Sequence, residues 1–156
     1  MMVNIFKSRD PVSTTPAIKE AKQKIDKLTR GSHRTIFKAT AVFPFDFFPD
    51  TIIIDENKVD IIVTTFFVTE QMYSIPIQNI IGADAMISLF FGTLTLETTG
   101  YKKSPPPITH LWNTDAVKAR RYINALVMCN KDKIDLSKLE IPYLCQKLDE
   151  IGKARM

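Results

Sequence analysis

The chain has 156 residues, 45% of them hydrophobic and 24% charged, a balance that can bury a core unaided and excludes wholesale disorder. Its two cysteines, Cys129 and Cys145, show no CxxC spacing and are too few for a disulfide framework, so they read as reduced, packed thiols of a cytoplasmic protein. The net charge of +4 is unevenly placed: through Arg34 there are eight Lys or Arg against three acids, a balance of +5, which leaves −1 for the remaining residues.

The segment MMVNIFKSRDPVSTTP has no apolar stretch ahead of its charges and does not read as a secretory signal. Residues 1–14 mix Ser, Thr, Pro and charge without a period and are expected to be a disordered lead-in. Residues 15–34 form a basic amphipathic helix and linker. Thr15 is the candidate N-cap, Pro16 the first helical residue and Gly31 the stop, while Ile18, Ala21, Ile25 and Leu28 recur at helical spacing. Lys19, Lys22, Lys24 and Lys27 occupy the other faces. Three roles are open to this helix: packing on a protein surface, lying on an anionic membrane, or touching nucleic acid. The stripe lacks the Trp or Phe that favours a membrane interface. Nucleic acid is disfavoured, since no known motif or aromatic-interleaved basic stripe accompanies the helix.

From Thr35 the period changes to two. TIFKATAVF, DTIIID, KVDIIVTTFF, MYSIPI, NIIGADAMI, LFFGTLTLET and ITHLW are seven runs rich in β-branched and aromatic residues. The sharpest turn is Asp55-Glu56-Asn57-Lys58, where Asp can bond its own following backbone and Asn tolerates the left-handed conformation, so DTIIID and KVDIIV are expected to pair antiparallel. The charges around this turn also prevent TIIIDENKVDIIVTTFFV from spanning a membrane. Val59, Ile61 and Val63 are expected on one face. In LFFGTLTLET the inward set is Phe90, Leu94 and Leu96, with Gly92 at a bulge or bend. Pro76 cannot donate to a ladder, which puts its strand at an edge or bulge, and an open edge invites a peptide or a second copy. Pro105, Pro106 and Pro107 make a rigid loop or a short polyproline surface.

After the strands, Asn113-Thr114-Asp115 offers N-capping chemistry. Ala116, Ala119, Ile123, Leu126 and Val127 form the buried stripe of the helix that follows, with Lys118, Arg120, Arg121 and Asn124 on its other faces. A last helix is expected near Pro142, with Ile141, Leu144, Leu148 and Ile151 inward and Gly152 as its stop.

This order, carried by the hairpin DTIIIDENKVDIIV, the transition SIPIQNIIGAD, the long strand LFFGTLTL and the closing helix DAVKARRYINALV, resembles the bacterial pleckstrin-homology-like (PH-like) domain family. The resemblance covers 35–129 and implies a mainly β fold with α: a seven-stranded antiparallel sandwich or partly open barrel capped by a C-terminal helix. Residues 130–156 are read as a C-terminal helical extension, so the fold is flanked by helices on both sides. The resemblance implies a non-enzymatic platform for lipid headgroups, peptides or protein surfaces, and fold alone does not choose among them. Members that bind phosphoinositides place several Lys and Arg around the first hairpin loop. Here that loop carries Asp46 and Asp50, with Lys38 the nearest cation, which speaks against specific inositol phosphate recognition.

The loop from Phe43 to Asp50 is the most unusual segment, and its phenylalanines either cap the open sheet end or form an aromatic tip. The candidate contact residues are Phe45, Phe47 and Phe48, joined by Lys102 and Lys103 from a loop that the PH-like order places at the same end. Catalysis is not expected. His33 and His110 sit in no metal-ligand spacing, the five glycines form no phosphate-cradling motif, and Cys129 falls at a helix C-terminus, where the dipole disfavours a thiolate. No metal, cofactor or small-molecule substrate is implied. The leading expectation is a scaffold for protein association, with a homo-oligomer among its options. The alternative is peripheral binding to anionic lipid at the inner face of the membrane, aided by the basic helix.

Overall fold

The computed structural model describes residues 16–31, 34–43, 47–65, 69–100 and 104–154, with the backbone alone at 16, 17 and 26–31. The lead-in 1–14 lies outside these residues. The chain divides into two compact units, Met1–Gly31 and Ser32–Met156.

The first unit contributes α1 (Pro16–Gly31), bounded by the proline and glycine expected to bound it. Its described side chains, from Ile18 to Ile25, are all exposed.

The second unit holds β1 (Thr35–Thr40), β2 (Thr51–Asp55), β3 (Lys58–Thr65), β4 (Thr69–Pro76), β5 (Ile80–Ile87), β6 (Phe91–Thr98) and β7 (Ile108–Trp112). A 3-10 turn, Ile77–Asn79, joins β4 to β5, and helices α2 (Asn113–Lys131) and α3 (Ile141–Lys153) close the chain. The fold is mixed α and β. The strands make two antiparallel sheets, β1-β2-β3-β4 and β5-β6-β7, which do not close into a barrel.

Alternation builds the core. Ile52 faces Ile61 and Ile54 faces Val59 across the β2–β3 pair, and all four are buried, each contributing about 1.5–3 kcal/mol by leaving water. Leu94, Leu96, Ile108 and Leu111 supply the second sheet, Ala116, Ala119, Ile123 and Leu126 supply α2, and Leu144 with Leu148 brings α3 into the same cluster. The β2–β3 turn is Glu56-Asn57, and the Asp55 carboxylate accepts the Glu56 N–H at 2.7 Å, as its position suggested. Asn57 does not use the left-handed conformation, which among described non-glycine residues is taken by His110 and Lys133.

Pro76 marks an edge, because β4 ends the four-stranded sheet. The Ile77 N–H donates to the Asn57 carbonyl at 2.9 Å, so the antiparallel alternation turns the backbone groups of residues 70, 72, 74 and 76 away from β3. The missing N–H of Pro76 therefore falls where the β3 ladder needs none.

Four expectations are corrected. Phe90 is exposed in the β5–β6 turn, and the inward alternation runs through Gly92, Leu94 and Leu96. Gly92 sits at a register shift between β6 and β7, as expected of a bulge, and a methyl group there would lie 2.5 Å from the Ala116 Cβ, so α2 packs directly against the glycine. No side chain caps α2, since Asn113 is already helical and donates its Nδ2 to the Ser88 carbonyl at 2.9 Å. Asn124 does not face solvent but bonds both backbone groups of Ala83, accepting the N–H at 2.8 Å and donating to the carbonyl at 3.0 Å. Gly152 does not stop α3, which continues to Lys153.

The two asparagines act together. Eleven helical residues rise about 16 Å, and the five residues from Ala83 to Ser88 extend about the same distance. Asn113 and Asn124, three turns apart, therefore meet β5 and the residue that follows it at two points five residues apart. α2 thereby occupies the β5 edge at Ala83 and the chain just past it at Ser88.

Candidate functional site

The sequence reading placed the site on phenylalanines and lysines at the β1–β2 and β6–β7 loops. Phe45, Lys102 and Lys103 lie outside the described residues. Phe47 is 75% exposed and meets the exposed Phe43 edge to face at 6.3 Å, while Phe48 is half-buried. Asp50 is structural: its carbonyl accepts the Ala41 N–H at 2.8 Å and its carboxylate accepts the Thr64 N–H at 3.1 Å. Lys19, Lys22 and Lys24 are exposed on α1, and the Lys27 side chain lies outside the described residues. Pro105 is buried, which fits a rigid loop better than a free polyproline surface.

The larger apolar surface was not anticipated. It is built by the β5–β6 turn and the outer face of the three-stranded sheet: Met86, Leu89, Phe90 and Trp112 are exposed, and Leu89 reaches 84%. The register explains the grouping. Met86 pairs with Thr93 and Phe91 with Trp112 on the face opposite the core pairs Ala83–Leu96 and Ala85–Leu94. The Phe91 ring lies 5.7 Å from Trp112, 6.4 Å from Phe90 and 6.0 Å from His110. Beside the turn is a hollow of about 330 Å³ lined by Leu89, Phe90, Phe91, Thr93, Thr109 and His110. The His110 backbone is left-handed at φ 56°, its carbonyl accepts the Val42 N–H at 2.8 Å, and its Nδ1 is buried with no hydrogen-bond partner among the described residues. That Val42–His110 bond ties the strand end bearing Phe43 to β7.

The sequence carried a signal for this surface. Residues 85–96 and 104–114 contain no Asp, Glu, Lys or Arg, and counting inward from Gly92 rather than Phe90 leaves Leu89 and Phe90 outside.

A second concavity, about 590 Å³, opens between α2 and α3 and includes Val117, Lys118, Arg121, Tyr122, Cys145 and Asp149 in its lining. Its polar groups are engaged with one another. Lys118 Nζ lies 5.3 Å from the Phe37 ring centroid and 5.7 Å from that of Tyr122, and Arg121 pairs with Asp149 at 3.2 Å. Burial, with Cys145 and Asp149 nearby, pushes the Tyr122 hydroxyl up to about 12, so it stays protonated at neutral pH.

A third cluster fixes the α2–α3 connection. Arg34 donates to the Ser137 carbonyl at 2.7 Å and to the Leu139 carbonyl, and its guanidinium meets the Glu56 carboxylate at 2.8 Å. Burial pushes the Glu56 carboxyl above its ordinary value, and the Arg34 charge offsets only part of that.

Among the described residues no three His, Cys, Asp or Glu are placed to hold a metal ion, and no helix is long and apolar enough to cross a membrane. Compared with known proteins, the chain matches no family model and no curated protein.

Proposed function

We propose that the 32–156 unit is a non-enzymatic, PH-like binding module that mediates protein association. The observation that carries this reading is the uncharged apolar surface of Met86, Leu89, Phe90 and Trp112, held on a sheet and on the hydrogen-bonded turn between two of its strands. Exposed apolar area that a fold does not cover is characteristic of an interaction surface, and aromatic anchors dominate such contacts. The division into four-stranded and three-stranded antiparallel sheets, with a helix directly after the last strand, supports the PH-like assignment. The exposed Phe43 and Phe47 extend the same chemistry to the first hairpin loop.

The test is affinity capture by the tagged full chain from its own cells. A Leu89→Asp, Phe90→Asp variant that keeps the native circular dichroism is expected to lose bound proteins that a Met72→Asp control retains. A variant that keeps every native partner removes this surface from the function, and a Phe43→Asp, Phe47→Asp variant applies the same test to the hairpin loop.

A second reading, peripheral binding to anionic membranes, is favoured by one observation: Ile18 and Ile25 are exposed on α1 beside Lys19, Lys22 and Lys24. Sedimentation with anionic liposomes at low salt tests it. Deletion of residues 1–31 is the informative truncation, because removing Arg34 as well would strip the Glu56 partner from the second unit. Absence of binding by the intact chain sinks this reading.

A further inference from the structure

We propose that the Leu89–Phe90 turn and the hollow beside it are the two halves of a two-fold contact between copies of this chain. The inference rests on the association reading above and names its partner.

Shape is the first argument. Leu89 projects at 84% exposure, and the adjoining hollow of about 330 Å³, floored by Phe91, Thr93, Thr109 and His110, is larger than a leucine or phenylalanine side chain. A projection and a recess on one patch can exchange across a two-fold axis, each copy's turn entering the other's hollow, and such a contact closes on itself instead of propagating.

Charge is the second. A two-fold axis brings a patch against itself, so any charge near the axis meets its own kind. The segments that build this patch, 85–96 and 104–114, carry no charged residue. On the same face Asp84 lies opposite the exposed Thr95, two residues along the strand from Met86, so charge sits at the rim and the Leu89 turn at the centre meets no like charge across the axis.

Area is the third. Met86, Leu89, Phe90 and Trp112 expose on the order of 500 Å² between them. That is most of the roughly 800 Å² per partner of a standard contact. Thr93, Thr95 and Thr109, with Asp84 opposite Thr95, supply a polar rim. Pairing through the β5 edge is the competing geometry, and Asn124 interrupts that edge at Ala83. The proposed contact is made by side chains.

The experiment is size-exclusion chromatography with light scattering on the full chain over a hundredfold concentration range. The expected mass rises to twice the 17.8 kDa of the chain. Leu89→Asp, checked for native circular dichroism, is expected to raise the dimer dissociation constant at least tenfold, and Met72→Asp on the β4 edge is expected to leave it unchanged. A wild-type chain that stays monomeric throughout overturns the proposal, as does a dimer that survives Leu89→Asp or is lost in Met72→Asp. The association reading fails separately: a monomer whose Leu89→Asp, Phe90→Asp form loses captured proteins overturns self-pairing alone, and a monomer that captures nothing overturns both.

Discussion

Gly152 of α3 lies so close to Arg121 of α2 that a methyl group at 152 would stand 2.5 Å from the Arg121 Cβ and 2.7 Å from its carbonyl oxygen. Exposed helical Gly→Ala changes usually stabilise by about 1 kcal/mol. Here the two backbones must separate, and Gly152→Ala is expected to cost about 1–3 kcal/mol instead, read as a lower urea midpoint. A gain in stability would show that α3 can shift freely on α2.

Asn124 replaces a neighbouring strand for Ala83. Asn124→Ala leaves one N–H and one carbonyl of β5 without their partner, at a cost of about 1–3 kcal/mol. Asn124→Asp keeps the acceptor and loses the donor, so it is expected to fall between wild type and alanine at neutral pH. Chemical denaturation of the three proteins decides the order. Hydrogen exchange at the Ala83 amide should accelerate in Asn124→Ala and stay near wild type in Asn124→Asp.

Glu56 makes stability depend on pH in the less common direction for an acid. Its folded value is raised, chiefly by burial. The folded state therefore holds the proton more tightly than the unfolded chain, and this group's contribution declines as pH rises through its unfolded and then its folded value. Measured against Glu56→Gln, wild type is expected to lose stability as pH rises through and above the ordinary glutamate value of 4.5. A difference that is flat or opposite in slope refutes the assignment. Arg34→Ala removes the compensating charge and the donor to Ser137 and Leu139, and it should cost roughly 3–5 kcal/mol with a steeper pH dependence.

Both cysteines are free, but they differ in access. Cys129 is buried and its thiol is pushed up, first by that burial and then by nearby Asp132, whereas Cys145 is half-exposed and bonds the Ile36 carbonyl at 3.7 Å. Alkylation at neutral pH is expected to modify Cys145 in the native state and Cys129 only on unfolding. Peptide mapping after timed labelling checks this, and equal rates would place Cys129 at the surface.

The strands were legible because β-branched runs such as TIIID and KVDIIV alternate about a two-residue turn, and period two leaves little choice of face. Pro76 likewise announced its edge through the one group it lacks. Asn124 and Gly152 were misread for a common reason: each is defined by an element distant in sequence, respectively Ala83 and Arg121. A polar residue on a helix face reads as solvated until a strand edge lies beside it. The apolar site was hidden by one misplaced step, since assigning Phe90 inward removed the aromatic that exposes the turn.

Arg34 gives the second unit a mechanical entry point. Residues 32 and 33 alone separate it from Gly31 at the end of α1, and its guanidinium holds both the β2–β3 turn through Glu56 and the α2–α3 connection through Ser137 and Leu139. The first described residue of the second unit is therefore pinned to two parts of the chain distant in sequence, and β1 begins from a fixed point.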